Sequence, residues 1–513
     1  MSELLSKLGA WRGFTAVVVG DYMLDELVFG NADRLSPEAP VPVLHVQREE
    51  HRPGGAANVS LNLIAMRGAV RAIGVIGADA AGERLRSQLS AAGVDASGLV
   101  ADGARPTTRK RSLIGLAQHR HPQKMFREDH ESREPLSSAI EESLMAALER
   151  ALGGADVVCL EDYNKGVCTA RVCGRVIELA RQRGIEVLVD PAAIKDYSKY
   201  RGAAAITPNR TEAMLATGLK LDDGAVPGDY HQVGVALRHQ LDLDAAVVTL
   251  DRLGILLCER GGAEPVVVPT VAREVYDVSG AGDMVLAALA GSRANKIDWH
   301  DACVLANAAA GLEVQVFGVV PIPIERIHAE VLRRVGSARG KLRSLSEAVV
   351  EAEAARREQR KIVFTNGCFD LLHSGHVWLL ETARSHGDYL IVGINTDARV
   401  REYKGNTRPI MPELERATML SALSCVDAVV VFDEETPIRV IQELRPDVLV
   451  KGGEYSLDEI PGATFVQSYG GRVVQVEMKP GLSTTSILRR LGAPADKTST
   501  SDVVARFTHD RRA

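Results

Sequence analysis

Through most of its length the chain alternates short apolar, β-rich runs with helical patterns, the rhythm of a parallel sheet covered by helices. That rhythm predicts an α/β fold. The predicted strands cover residues 15–20, 70–76, 157–160, 186–189 and 245–250 in the first half, and 362–364, 389–394, 428–432, 448–450 and 472–476 in the second. At 513 residues the chain is too long for one hydrophobic core. A charged stretch containing Gly and Ser, residues 333–343, interrupts the rhythm and places a boundary near residue 338. The expected layout is a first domain over 1–335, a linker over 336–344 and a smaller second domain over 345–492. From Ala493 a tail rich in Ser, Thr, Asp and Lys follows, whose composition predicts disorder.

Composition excludes several classes. With 46% apolar and 25% charged residues the chain has the make-up of an ordinary soluble globular protein. A net charge of −6 and the lack of a basic stripe argue against nucleic-acid binding. No run approaches the ~18 apolar residues of a membrane span; the best candidate, 302–320, is broken by Asn307, Glu313 and Gln315. The first residues lack the basic-then-apolar layout of a signal peptide, so a cytoplasmic protein is expected. The seven cysteines are scattered, and Cys168 and Cys173 have no second pair to complete a zinc site, so reduced thiols are expected. Cys368 reads as a small side chain packed under a turn.

That turn is the most specific motif of the second half: Thr365-Asn366-Gly367-Cys368-Phe369-Asp370-Leu371-Leu372-His373-Ser374-Gly375-His376. It follows a short strand and leads into a helical run, an order that sets backbone N–H groups where an anion can sit. His373 and His376, three apart, face one spot on a helical turn and can donate hydrogen bonds to a phosphate. The run resembles the HxGH signature of the cytidylyltransferase-like nucleotidyltransferases. That resemblance implies attack of a phosphate or acid on the α-phosphate of a nucleoside triphosphate, with release of pyrophosphate.

The first half carries three glycine- or asparagine-bearing motifs. Asp277-Val278-Ser279-Gly280-Ala281-Gly282-Asp283 precedes a helix of small apolar residues, whose free N–H groups can hold a transferring phosphoryl group while Asp283 takes a proton. Pro53-Gly54-Gly55-Ala56-Ala57-Asn58 opens another helix, and Pro208-Asn209-Arg210-Thr211-Glu212 adds an Asn and a Glu at helical spacing. Together these resemble the PfkB (ribokinase-like) sugar kinases over residues 10–330. The resemblance implies that Asp283 is the general base and that the N–H groups of Gly280, Ala281 and Gly282 form the anion hole. It puts ATP and Mg²⁺ by Asn209 and Glu212, with no fixed protein-only metal site, and Thr249, Gly254 and Asn307 beside the nucleotide. Gly54, Gly55 and Asn58 would face the sugar.

Gly20-Asp21-Tyr22-Met23-Leu24-Asp25 and Arg34-Leu35-Ser36-Pro37-Glu38-Ala39-Pro40-Val41-Pro42-Val43 follow the heptose-phosphate kinases more closely. On that model Asp21 holds sugar hydroxyls; a plain helix N-cap is the other reading. Lys165, in Glu161-Asp162-Tyr163-Asn164-Lys165-Gly166, would meet the distal phosphate unless it is a solvated surface charge. Residues 37–43 read as an edge strand of a lid, which in this family often serves a homodimer. There are departures: Ala192 stands where these kinases usually have Lys, with Lys195 a candidate substitute, and Ser279 and Met284 replace two threonines.

In the second half Asp397 ends a strand where an α/β sheet places its ligand. Lys404, Arg408 and Arg416 could stabilise pyrophosphate or be plain surface charges. Lys451 enters a Gly-Gly turn, and Ser483 and Thr484 open another helix start. The order of motifs resembles the heptose-1-phosphate adenylyltransferases over 345–490. This implies that His373 and His376 bind the α-phosphate, and that Thr365, Phe369, Asp397, Lys404, Arg408, Lys451, Ser483 and Thr484 contact nucleotide or phosphates. A ribokinase-like domain followed by a smaller Rossmann-like nucleotidyltransferase resembles the bifunctional enzymes of ADP-heptose synthesis. The same layout acting on another sugar phosphate or nucleotide stays open.

Overall fold

The computed structural model describes residues 4, 7–8, 10–116, 122–222, 224–262, 264–270, 280–315, 320–336, 340–405, 407–453 and 459–477. The chain divides into two compact units, residues 11–327, and residues 328–513 together with residues 1–10. This division falls inside the helix Ile324–Gly336, not at residues 336–344. Composition marks a change in polarity there, but packing decides where a unit ends. Within the expected linker, Leu342–Arg343 form a strand parallel to Ala428–Phe432.

The first unit is built on a nine-stranded sheet. Its order is Val266–Val268, Ile255–Glu259, Ala245–Thr249, Ala205–Ile206, Glu186–Asp190, Val157–Glu161, Phe14–Gly20, Gly68–Gly77, Asp95–Asp102. All neighbours are parallel except the pairs involving Ile255–Glu259, which are antiparallel. Its central strands are apolar runs such as Val157–Glu161, every residue buried, as a sheet covered on both faces requires. Chain order reverses between Phe14–Gly20 and Val157–Glu161, so their C-terminal ends flank a switch point, where open α/β sheets bind ligands. Gly20 is needed there: a Cβ would lie 2.1 Å from the Glu161 carbonyl oxygen.

Beyond Asp21 the chain enters a second, four-stranded sheet ordered Pro42–Gly55, Tyr22–Leu35, Thr108–Leu116, Gln123–His130. Of the Pro-rich residues 37–43, those up to Val41 form a turn, and Pro42 and Val43 begin a strand by pairing with Leu35 and Arg34. The edge strand of the lid is Pro42–Gly55.

The second unit holds a six-stranded, all-parallel sheet ordered Leu342–Arg343, Ala428–Phe432, Tyr389–Asn395, Ile362–Gly367, Val448–Gly452, Arg472–Val476. Side chains alternate between two cores, Ile362, Phe364 and Leu449 on one face and Val363, Val448 and Val450 on the other. The switch point lies between Ile362–Gly367 and Val448–Gly452, so the HxGH turn and Lys451 leave the sheet side by side. Among the described residues no helix is long and apolar enough to cross a membrane. All seven cysteines are free, and Cys368 leans on Asn395.

Candidate functional sites

In the first unit the helices Ala56–Ala65 and Ala281–Ala294 pack on each other through small buried residues and bring Asn58 to Asp283. Asn58 Nδ2 donates to Asp283 Oδ2 at 2.6 Å, and the Tyr163 hydroxyl donates to Oδ1 at 2.8 Å. Burial pushes the Asp283 carboxyl up to about 6, against the pull of both donors and of Lys110. A carboxylate so tuned can accept a proton near neutral pH. Gly280, at φ 86°, begins the helix Ala281–Ala294, and no side chain caps it. Backbone N–H groups at an uncapped helix start of this kind can hold an anion.

Asp283 lies in an acidic cluster. Carboxylate oxygens of Glu161, Asp190 and Asp283 come within 4.8 Å of one another. Burial, then its neighbours Asp190 and Asp283, hold Glu161 well above the usual carboxylate range. Burial, then Asp283 and Glu212, does the same to Asp190. Glu161 Oε2 is buried without a hydrogen-bond partner. Three such groups either hold a proton among them or, when all are ionised, need a cation.

Asp21 caps no helix; three of its roughly four acceptor positions are taken by backbone N–H groups. Its Oδ2 accepts the N–H of Tyr163 at 2.8 Å and of Lys165 at 3.1 Å, and Oδ1 that of Val167 at 3.3 Å. It organises the loop that carries Tyr163 to Asp283, and burial followed by Asp162 pushes it up to about 6. Lys165 is not solvated; it pairs with Glu131. Gly54 and Gly55 close on this region, since a Cβ on Gly54 would lie 2.6 Å from Asp25 and one on Gly55 2.6 Å from the Asp21 carbonyl.

Asn209 and Glu212 form a capping box, the Asn209 side chain accepting from Thr211 and Glu212 N–H and Glu212 Oε2 from Asn209 N–H. Asn209 bridges to Thr249 on the neighbouring strand, whose hairpin turns at Gly254 with φ 110°. Asn307, expected beside the nucleotide, is engaged through its Nδ2 with the carbonyls of Val268 and Pro269 and through its Oδ1 with the Thr270 hydroxyl. Ala192 donates its N–H to the Tyr200 hydroxyl; Lys195 is exposed, and a nearby half-buried cation is Lys199, on Asp162 and the Cys168 carbonyl. Met284 is core. Residues 277–279 lie outside the described residues.

In the second unit His373 is the N-cap of the helix Ser374–Arg384, its Nδ1 accepting the Gly375 N–H at 3.1 Å. Nε2 of the neutral ring then carries the proton and can donate. His376 stacks on it with centroids 3.8 Å apart. Burial, then His373 and Lys404, draws His376 down to about 4, and burial lowers His373. Both rings are neutral donors at pH 7. Thr365 Oγ1 is fully buried and unpartnered, and Lys451, half-exposed at most, reaches Asn366 Oδ1 at 3.2 Å.

Arg408, Arg416 and Asp397 are engaged in ion pairs, and Phe369 packs beside the histidines. Phe369, at φ 47°, packs its ring 5.1 Å from His376. Arg408 pairs with buried Asp370 at 2.5 Å, because Asp370 also ties down the N–H groups of Ile410 and Met411. Arg416 is wholly buried, bonding the carbonyls of Cys368, Asn395 and Met411 and the Asp397 carboxylate. Asp397 thereby serves the scaffold. Ser483 and Thr484 lie outside the described residues. Sequence reading missed the parts played by Tyr163, Lys110, Glu161, Asp190, Asn366 and Asp370; of these Glu161, Tyr163, Asn366 and Asp370 sit inside a quoted motif, and Lys110 and Asp190 do not.

A family model described as pfkB family carbohydrate kinase matches residues 15–325, and one described as cytidylyltransferase-like matches residues 364–506. The "Bifunctional protein HldE" of Geobacter metallireducens is 44% identical over 482 residues, 94% of this chain and 96% of that one. Its namesake in Trichlorobacter lovleyi is 45% identical over 478 residues, covering 93% and 95%. In Methylobacillus flagellatus the figures are 42% over 480 residues, 93% and 96%. Phosphofructokinase-2 from Escherichia coli shares the fold of the first unit, with a TM-score of 0.52 at 18% identity over 62% of this chain and 98% of that one. With both domain types present in one chain and relatives matched along nearly their full length, the chain belongs to the family of bifunctional HldE proteins, a carbohydrate kinase joined to a nucleotidyltransferase.

Proposed function

We propose that the protein performs two non-consecutive steps of ADP-heptose synthesis. The first unit phosphorylates the anomeric hydroxyl of D-glycero-β-D-manno-heptose 7-phosphate to the 1,7-bisphosphate. A separate phosphatase removes the 7-phosphate. The second unit transfers AMP from ATP to the resulting 1-phosphate and releases pyrophosphate. The observation that carries this reading is the pairing, in one chain, of a buried, doubly hydrogen-bonded carboxylate beside an uncapped helix start with a stacked, neutral histidine pair at a second switch point.

In the kinase step Asp283 takes the hydroxyl proton as the oxygen attacks the γ-phosphorus of ATP and the bond to ADP breaks. The N–H groups at the start of Ala281–Ala294 meet the negative charge on the moving phosphoryl oxygens. In the adenylyl step an oxygen of the sugar 1-phosphate attacks the α-phosphorus and the bond to pyrophosphate breaks. His373 Nε2–H and His376 donate to the α-phosphate, and Lys451, Lys404 and the Thr365 hydroxyl hold phosphate oxygens, with Ser483 and Thr484 as further ligands.

The residues present fit a Mg²⁺ ion arriving with ATP at the first unit. Glu161 and Asp190 offer hard carboxylate oxygens, one of them buried without a partner, and Glu212 is near enough to raise Asp190. Such an ion shields phosphate charge during transfer. A homodimer through the lid is part of the reading, supported by exposed Leu35, Val41, Val46, Met125 and Phe126 on that sheet and its turn.

The test is product analysis by mass spectrometry after incubation with heptose 7-phosphate and Mg-ATP, with and without a heptose-bisphosphate phosphatase. Bisphosphate alone without the phosphatase, and ADP-heptose only with it, is the expected result. Unchanged substrate sinks the heptose assignment in favour of another sugar phosphate.

A further inference from the structure

The four-stranded lid meets the core of the first unit on two sides. On one, the helix Ala80–Ala91 holds His51 of the strand Pro42–Gly55: Gln88 Nε2 donates to its carbonyl at 3.0 Å, and Arg84 Nη1 meets its ring at 2.5 Å. On the other, the strand Thr108–Leu116 sends Lys110 to the loop after Val157–Glu161. There its ammonium lies 4.6 Å from the centroid of the Tyr163 ring.

Strand register fixes the direction of Lys110. It stands opposite Asp25 on one neighbouring strand and Asp129 on the other, and Asp25 stands opposite Arg52. Residues directly opposite share a face. Arg52, Asp25, Lys110 and Asp129 therefore form one row of alternating charge across the lid, and that row faces the base loop. The ring under Lys110 is held at both of its other ends, its backbone N–H on Asp21 Oδ2 and its hydroxyl on Asp283 Oδ1, each at 2.8 Å. An ammonium is drawn to the negative face of an aromatic ring, more strongly where water is partly excluded, and Lys110 and Tyr163 are both half-buried. With this contact made, Asp283 is only 4% exposed.

We propose that Lys110 latches the lid onto the base loop through the face of the Tyr163 ring, and that this latch makes the sugar hydroxyl, and not water, the acceptor of the phosphoryl group. The proposal rests on the kinase reading above. With the latch open, water reaches Asp283. Its proton passes to the carboxylate, its oxygen bonds the γ-phosphorus and the bond to ADP breaks, giving ADP and inorganic phosphate. With the latch made, water is kept from the base and the hydroxyl beside it is the sugar's. Lys110 is a positioning residue: it acts through Tyr163 and the lid and touches none of the reacting atoms.

The experiment counts the ADP, inorganic phosphate and sugar bisphosphate formed by the full chain from Mg-ATP, with and without heptose 7-phosphate, in wild type, Lys110→Met and Lys110→Arg. The second unit releases pyrophosphate from ATP, so ADP reports the first unit alone. A cation–π contact corresponds to about a two- to thirtyfold change in an open–closed equilibrium. K110M is expected to raise sugar-independent release of ADP and inorganic phosphate by that factor, and with sugar present to form more ADP than bisphosphate. K110R, whose guanidinium also stacks on a ring, restores the wild-type ratio. Tyr163→Phe and Tyr163→Leu then separate ring from hydroxyl, since both lack the hydroxyl and the first keeps the ring. K110M should uncouple ADP release in the Phe background and add nothing in the Leu background. No uncoupling in K110M, equal effects in the two backgrounds, or uncoupling in K110R as large as in K110M overturns the latch and leaves the kinase reading intact. So does a raised sugar KM with ADP and bisphosphate still equal, the result for a lysine that binds the sugar directly. A wild type that leaves heptose 7-phosphate unchanged sinks the substrate assignment, and sugar-independent ADP release in the variants still decides the latch.

Discussion

Replacing Tyr163 with Phe deletes one oxygen and should shift the acid limb of the kinase reaction to higher pH. The hydroxyl donates to Asp283 Oδ1 at 2.8 Å, while Asn58 serves the other oxygen. Burial raises the carboxyl to about 6, and the two hydrogen bonds oppose that rise. A hydrogen bond to a charged acceptor contributes about 1.5–3 kcal/mol. At about 1.4 kcal/mol per pK unit, that is roughly one to two units. The bond stabilises the ionised form, so its loss makes the carboxylate harder to form and moves the limb to about pH 7–8. A base must be ionised to accept the hydroxyl proton, so turnover near pH 6 should fall roughly five- to fiftyfold and largely recover near pH 9. The assay is ADP release at saturating sugar phosphate across that range, with pyrophosphate release by the second half-reaction in the same sample as control. A limb that stays near its original pH would refute the electrostatic argument. A loss of equal size at every pH would show that the hydroxyl only positions the carboxylate.

The second unit should respond differently: with both imidazoles lowered, His376 to about 4, adenylyl transfer should stay flat as the pH falls from about 8 to 7 and change less than the kinase does as it falls further. Removing either donor, His373→Ala or His376→Ala, should cost roughly 10²–10³ in pyrophosphate release and leave ADP release unchanged. Arg416→Met leaves the Asp397 carboxylate and three backbone carbonyls without their buried partner. A loss of about 3–5 kcal/mol is expected, read as a lower thermal midpoint for the second unit with kinase activity retained. Gly20→Ala puts a methyl 2.1 Å from the Glu161 carbonyl, so the first unit should lose at least about 1–3 kcal/mol and its ADP release while pyrophosphate release survives.

Much of the central architecture could be read from sequence because buried parallel strands are near-continuous apolar runs. The lid could not. Its strands carry Arg109-Lys110-Arg111 and a nearly fully exposed Gln123–His130, so one face is wet and the apolar signal is halved. Leu342–Arg343 is too short for any period to show. At the sites, glycine turns and histidine spacing are local and were legible. The partners of Asp283 were not, since Tyr163 lies 120 residues away and Asn58 225. The same limit explains the reading of Arg408 and Arg416 as phosphate ligands. A cation in a string of letters carries no sign of whether a carboxylate has taken it, and here Asp370 and Asp397 have.

Both sheets deliver their chemistry where strand order reverses, and that placement makes each site depend on two strands being in register. In the second unit Lys451 reaches Asn366 across the switch point because Val448–Gly452 pairs Val450 with Thr365. A one-residue slip would turn Lys451 to the other face, since side chains alternate along a strand. The cores oppose that slip: Val448 and Val450 fill one and Leu449 the other, so a shift would exchange their environments at once. The apolar residues that make the strand recognisable are thus the same ones that keep the lysine on the face where it meets Asn366. Substitutions in this strand that change side-chain volume should therefore damage adenylyl transfer beyond their effect on stability.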